Sequence, residues 1–256
     1  MATRTGCTLP RMKLYASFVI LAACGSGGGK ANPDAGGDSK PVDARVFLDA
    51  PPNVPPMITL SGTATNQGQG SSGPLAGVAI GLYKTSDETT AIASATSGAD
   101  GTYSFMVTTD GLVVDAFIKA TLSGYVDNYV YPAAPFQADT STDLNLINTT
   151  DFGLLGFITG QSSSNGFVVV EITDATGAAI TGATVQSDPA SGAYRYTDPG
   201  TGTPTGKIST GTDGAGFCIN VPPGNVTVNA AKAGASFKSH VINAHPNAFT
   251  NTTVTE

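Results

Sequence analysis

The sequence predicts an all-β chain, two tandem β-sandwiches behind a disordered N-terminal tether. Three observations carry that prediction. From Met57 onward, apolar and polar residues alternate in many short runs, as half-buried strands require. Clusters of Gly, Asp, Asn and Ser separate the runs, as turns do. No long amphipathic helical pattern interrupts them. A hydrophobic share of 40% is enough for a core, although only 12% of residues are charged and Trp is absent. The formal charge of −7 excludes partners that need clustered Lys and Arg, so no nucleic acid is expected.

Taken in order, the chain starts with Arg4, Arg11 and Lys13 ahead of an apolar run from Leu14 to Ala23. Ten residues are half of the ~20 that a spanning helix needs, so residues 1–23 are expected to be an export signal. Met12, just before Lys13, is an alternative start. The run ends Leu21-Ala22-Ala23-Cys24 and continues Gly-Ser-Gly-Gly-Gly. This resembles the lipobox of bacterial lipoproteins, which implies cleavage before Cys24 and acylation of that residue. The partner implied is then a membrane, through a lipid anchor on Cys24, and the location implied is the bacterial cell envelope, at the outer membrane. Loss of residues 1–23 leaves nine Lys and Arg against nineteen Asp and Glu, a net of −10. Cys7 goes with the signal and Cys24 with the lipid, leaving Cys218 as a single thiol in a strand-like run. A small buried hydrophobe is expected there rather than a nucleophile.

Residues 24–56 have no hydrophobic period and are rich in Gly, Pro, Asp and Ala, the composition of a disordered spacer of roughly 30 Å. Asp34, Asp38, Asp43 and Asp49 lack the Gly turn and closing Glu of a calcium loop. Residues 57–148 then hold seven expected strands, marked by Ile58–Gly62, Val78–Leu82, Ile92–Ser94, Tyr103–Val107, Phe117–Thr121, Tyr129–Tyr131 and Leu144–Leu146. In the linker 149–165, Thr149-Thr150-Asp151 before an apolar run predicts one or two helical turns packed between the domains. Residues 166–256 hold Phe167–Ile172, Ala183–Val185, Tyr194–Tyr196, Lys207–Ser209, Phe217–Val221, Val226–Val228, His240–Ile242 and Thr250–Val254. Each series is expected to close its own core.

The two series share a grammar. Gly73-Pro74-Leu75-Ala76-Gly77-Val78 is followed by Thr96-Ser97-Gly98-Ala99-Asp100-Gly101-Thr102-Tyr103, and Gly177–Val185 by Thr210-Gly211-Thr212-Asp213-Gly214-Ala215-Gly216-Phe217. Each is a small-residue turn into a strand, then an Asp-Gly turn into an aromatic strand. These motifs resemble the carboxypeptidase regulatory-like domain over about residues 59–147 and 166–254. The resemblance implies a transthyretin-like or Ig-like sandwich, twice, and is nearly silent about activity. The second copy carries an insertion, Asp188–Gly206, that the compact pattern lacks.

Catalytic patterns are missing. The two histidines, His240 and His245, are not followed by Glu at a zinc-ligand offset, so neither a metal nor another cofactor is expected. No nucleophile elbow or phosphate loop occurs. A carboxylate pair such as Asp110 with Asp115 would be needed for a hydrolase, but turn formation explains those residues. The candidate ligand surface is Tyr125, Asp127, Tyr129 and Tyr131, which share a face if residues 124–131 form one strand, with Val126 and Val130 opposite. Rings flanking a carboxylate suit a sugar or peptide; the alternative is that they cover the sandwich. Tyr194-Arg195-Tyr196 is a weaker candidate. The function expected is a non-enzymatic surface-anchored lipoprotein, a binding or structural accessory module. A carbohydrate-binding lipoprotein of a glycan-degrading system is the alternative, and a hydrolase a third.

Overall fold

The computed structural model describes residues 53–68, 71–197 and 203–256; the expected signal, Cys24 and most of the tether lie outside them. The first series forms β1 (Met57–Gly68), β2 (Ser71–Pro74), β3 (Ala79–Lys84), β4 (Asp87–Thr96), β5 (Thr102–Thr108), β6 (Ala116–Thr121), β7 (Asn128–Tyr131), β8 (Thr140–Ser141) and β9 (Leu144–Leu146). A helix, α1 (Thr149–Thr159), follows. The second series forms β10 (Gly166–Thr173), β11 (Thr184–Asp188), β12 (Ala193–Thr197), β13 (Pro204–Thr205), β14 (Ala215–Val221), β15 (Gly224–Ala231), β16 (His240–Ala244) and β17 (Phe249–Thr255). The chain is therefore all-β, as the alternation predicts.

Alternation builds the half-buried strands directly. In β5, Tyr103, Phe105 and Val107 are buried while Thr102, Ser104 and Met106 face out. The unbroken run Phe167–Val170 gives instead a strand buried on both faces, β10, lying between β14 and the parallel β17.

Both repeats close with the same knot. The Ser97 hydroxyl donates to the Leu75 carbonyl at 2.6 Å and accepts the Val78 N–H at 2.9 Å. The Thr210 hydroxyl donates to the Ile180 carbonyl at 2.7 Å and accepts the Ala183 N–H at 3.0 Å. The Asp-Gly turns then bring backbone against backbone. A Cβ on Gly101 would lie 2.6 Å from the Ala64 carbonyl oxygen, and one on Gly214 equally 2.6 Å from that of Ile172. Glycine is required there by contact as well as by its positive φ.

The sheets do not divide as the repeats do. A five-stranded sheet is built around β1, with β2 and β5 antiparallel to it and β8 and β9 parallel. A three-stranded sheet has the order β11-β15-β16. Between them runs one nine-stranded sheet, β13-β12-β14-β10-β17-β7-β6-β3-β4, which crosses from the second series to the first where β17 pairs in parallel with β7. Ile58, Leu60, Ile80, Leu82 and Ile118 fill the core under the five-stranded sheet. The core under the three-stranded sheet holds Val168, Val170, Val226 and Ile242 of the second series together with Phe117, Tyr129 and Tyr131 of the first. The first series thus has a core of its own, while the core of the second series also takes in Phe117, Tyr129 and Tyr131, from strands of the sheet that β17 continues.

Two further expectations are corrected. The helix is longer than one or two turns, at 11 residues, and is capped by Asn148 rather than by Thr149 or Asp151: the Asn148 side chain accepts the Asp151 N–H at 2.8 Å. Gly160 ends it in the left-handed conformation. It lies on the outer face of the long sheet, where Phe152 and Leu155 meet Phe167, Phe217 and Phe249. Lys207–Ser209 is not a strand. Ile208 is 85% exposed with no layer to pack against, and the pairing at that place is made by β13.

Candidate functional site

The four residues expected to share a ligand face are distributed otherwise. Gly124 turns the chain at φ 83°, and the strand starts only at Asn128, so Tyr125 falls outside it and bridges Asn148. Tyr125 packs beside the core of the first series, while Tyr129 and Tyr131 enter the shared core and are 6% and 3% exposed. Val130 packs on the opposite face, in the first core. Strand β7 is interior, flanked by β6 and β17, and both its faces are covered. The reading of this stretch as one ligand face of four residues is corrected for Tyr131, whose ring is held in the core, while Tyr125, Asp127 and Tyr129 stay together along one cleft. Phe117 stacks on Tyr131 at 4.8 Å between centroids, and the imidazole of His245 stacks on Tyr129 at 3.9 Å.

What this packing assembles is a polar seam between the series. Register shifts between β3 and β4 bulge the chain after Asp87. Glu88 accepts the Asn243 side-chain N–H at 2.7 Å and stands 3.3 Å from His245 Nε2. That imidazole contact is close without being an aligned hydrogen bond. Lys119 pairs with Asp127 at 3.1 Å, and its ammonium lies 5.2 Å from the centre of the Tyr129 ring. A cleft of about 350 Å³ opens here, lined by Tyr125, Asp127, Tyr129, Thr149, His245 and Asn247. On β16, His240 Nδ1 is 2.7 Å from the Thr252 hydroxyl and its ring meets Tyr131 edge-on. A second cleft, of about 480 Å³, lies beside it.

In the sequence the two histidines stand out only as candidate zinc ligands, and Glu88 and Lys119 carry no local signal. The weaker candidate, Tyr194-Arg195-Tyr196, is structural. The Tyr196 hydroxyl accepts the Val185 N–H at 3.0 Å, and the Tyr194 hydroxyl accepts the Ser187 N–H at 3.1 Å. Cys218 is fully buried, and burial pushes its thiol up to about 12, so it is no thiolate at neutral pH. Among the described residues, no three His, Cys, Asp or Glu side chains converge as metal ligands would.

Burial also sets the proton affinities of the seam. Desolvation lowers the pKa of His240 and of His245, against the opposing pull of Asp115 and of Glu88 and Asp127 respectively. The folded chain therefore takes up protons on both rings at lower pH than the unfolded chain, whose ordinary value is near 6.5. Their contribution to stability is complete above that pH and is lost as pH falls below it. Glu171 works in the other direction. Burial first, and Asp213 second, raise its carboxyl to about 7, so it destabilises as pH rises from 4.5 to 7. A Glu171→Gln chain lacks this opposing carboxylate, so the contribution of the histidines should show and the urea midpoint should rise between pH 5 and pH 7. A flat or falling midpoint would contradict the lowered proton affinity of the buried histidines.

No protein-family model matches the chain, and no curated protein matches it. Among solved structures, the Bacillus anthracis TIE protein aligns over 77% of this chain and 33% of its own, at 13% identity and a TM-score of 0.25. The chain thus spans about a third of that protein. The shaft pilin SpaA from Lactobacillus rhamnosus GG, as a double mutant, aligns over 78% of this chain and 97% of its own, at 10% identity and a TM-score of 0.25. A 3-chlorocatechol 1,2-dioxygenase from Rhodococcus opacus 1CP aligns over 36% of this chain and 60% of its own, at 11% identity and a TM-score of 0.27. A pilin and a dioxygenase match at the same level, so these likenesses do not discriminate between functions.

Proposed function

We propose that the protein is a non-enzymatic module of the bacterial cell envelope, anchored through a lipid on Cys24 and acting as a structural or binding accessory. The observation that carries this reading is the shared sheet. The parallel pairing of β7 with β17 joins two repeats into one body, and Tyr129 and Tyr131, two of the three aromatic residues that could have formed a ligand face, pack at that junction. Polar side chains near the surface are likewise engaged in turns, as Asp174 is with Thr176 and Ala178. A rigid β body behind a Gly- and Pro-rich tether is suited to holding a surface away from a membrane.

The anchor is tested on the form of the protein extracted from the envelope. Mass spectrometry should find Cys24 as its first residue with the added mass of acyl chains, and Cys24→Ser should release the protein from the membrane fraction. A chain that retains Phe18, or a Cys24→Ser protein that fractionates like the wild type, would overturn the reading.

A further inference from the structure

Each seam cleft is lined by one carboxylate and one histidine, but Asp127 of the smaller is neutralised by Lys119 at 3.1 Å, whereas Asp115 of the larger accepts the hydroxyl of Thr85. The walls of the larger are Thr85 and Asp115 at the ends of β3 and β6, Tyr131 with the following segment 132–135, and Asn225 and His240 of the second series. Among the described residues, no Lys or Arg lines it. Asp115 is exposed at its edge, and the carboxylate is oriented because Oδ2 accepts the Thr85 hydroxyl at 2.8 Å. A second carboxylate, Glu88, stands behind the Tyr131 hydroxyl at 3.5 Å. Pro132, Ala133 and Val241 supply apolar surface beside these charges. The cleft thus joins negative potential to an apolar wall, which fits a cation carried on an aliphatic stem. A bare metal ion would find a single first-contact carboxylate, too few for a dedicated site.

We propose that this cleft receives a Lys or Arg side chain of a partner polypeptide, with Asp115 as its counter-ion and the 132–135 segment against its stem. This goes beyond the accessory role by naming the partner's chemistry, and it does not depend on the lipid anchor. His240 forms part of the wall, and Asp115, Thr252 and Tyr131 are the groups that face it. Protonating its imidazole places a cation in the cleft and opposes binding, so the site weakens on acidification.

The chain reports on itself, because its two histidines sit in different clefts. The full chain is titrated at pH 7.5 with acetyl-Gly-Lys-Gly-amide while the two imidazole carbon–proton NMR signals are followed. A His240→Gln chain identifies which signal belongs to which ring. The His240 signal should shift saturably while that of His245 stays in place. Asp115→Asn should weaken the affinity about tenfold, as loss of a charged partner does. The peptide with norleucine in place of lysine should produce no shift. Because screening reaches ~3 Å in 1 M salt, that salt should abolish the shift in the unaltered protein, which tests the charge dependence without any substitution. An unmoved His240 signal, equal binding of the norleucine peptide, or a shift that survives 1 M salt would overturn the proposal. So would parallel movement of both histidines, the mark of general attraction to an acidic chain.

Discussion

Tyr129→Ala is expected to destabilise the protein by about 3–5 kcal/mol, the range for removing a packed aromatic ring, and so to lower its melting temperature by roughly 6–20 °C. The ring is 6% exposed and takes contacts from three directions. Phe117 lies 6.0 Å away, His245 stacks at 3.9 Å, and the Lys119 ammonium stands 5.2 Å from the ring centre. Truncation would leave a void where the two series meet and strip the His245 imidazole of its stacking partner. Tyr129→Phe separates packing from polarity: it keeps the ring and the stack, and should retain most of the stability. A thermal melt reads both variants. If Tyr129→Ala melts with the wild type, the ring is not part of the core, and the reading of Tyr125, Asp127 and Tyr129 as a ligand surface is favoured.

That residue also shows where sequence reasoning reaches its limit. Period-two alternation states that Tyr129 and Tyr131 share a face and Val130 lies opposite, and both statements hold. It does not state which face is covered, and in an interior strand both are. Interior position depends on β17, whose parallel register with β7 joins Phe249 to Asn128 across the whole second series. No turn or local motif encodes a pairing of that span. Signals confined to a few residues were legible: Asp-Gly turns, the unbroken Phe167–Val170 run, the alternation of β5. The helix was legible in place and not in length. Gly153 and Gly156 lower its intrinsic propensity, and it is the bed of Phe167, Phe217 and Phe249 that stabilises the further turns. The seam charges were invisible for the same reason as the sheet. Glu88 and Asn243 are 155 positions apart and meet only because the two series dock.

Separating the two series should have the largest effect of all. Residues 53–148 and residues 149–256, produced individually, are each expected to fall far below the intact chain in stability. The first fragment loses β17 from the edge of β7 and exposes Phe117, Tyr129 and Tyr131, which in the whole chain complete the core of the second series. The second fragment loses those three rings from its core, along with Val126 and Ile147 from the face that α1 covers. Fully burying one large apolar side chain contributes roughly 1.5–3 kcal/mol, so removing several from a domain of ordinary stability, about 5–15 kcal/mol, leaves little margin. Circular dichroism and urea unfolding of each fragment give the measurement. Mixing the two should restore β signal and cooperative unfolding, because the missing edge and the missing rings are supplied in trans. Two fragments that each unfold cooperatively at the midpoint of the intact chain would show instead that the nine-stranded sheet is a contact between independent domains. The polar seam would then be a docking surface between finished bodies, and Glu88, His245 and Asn243 would govern how the bodies are oriented rather than whether they fold.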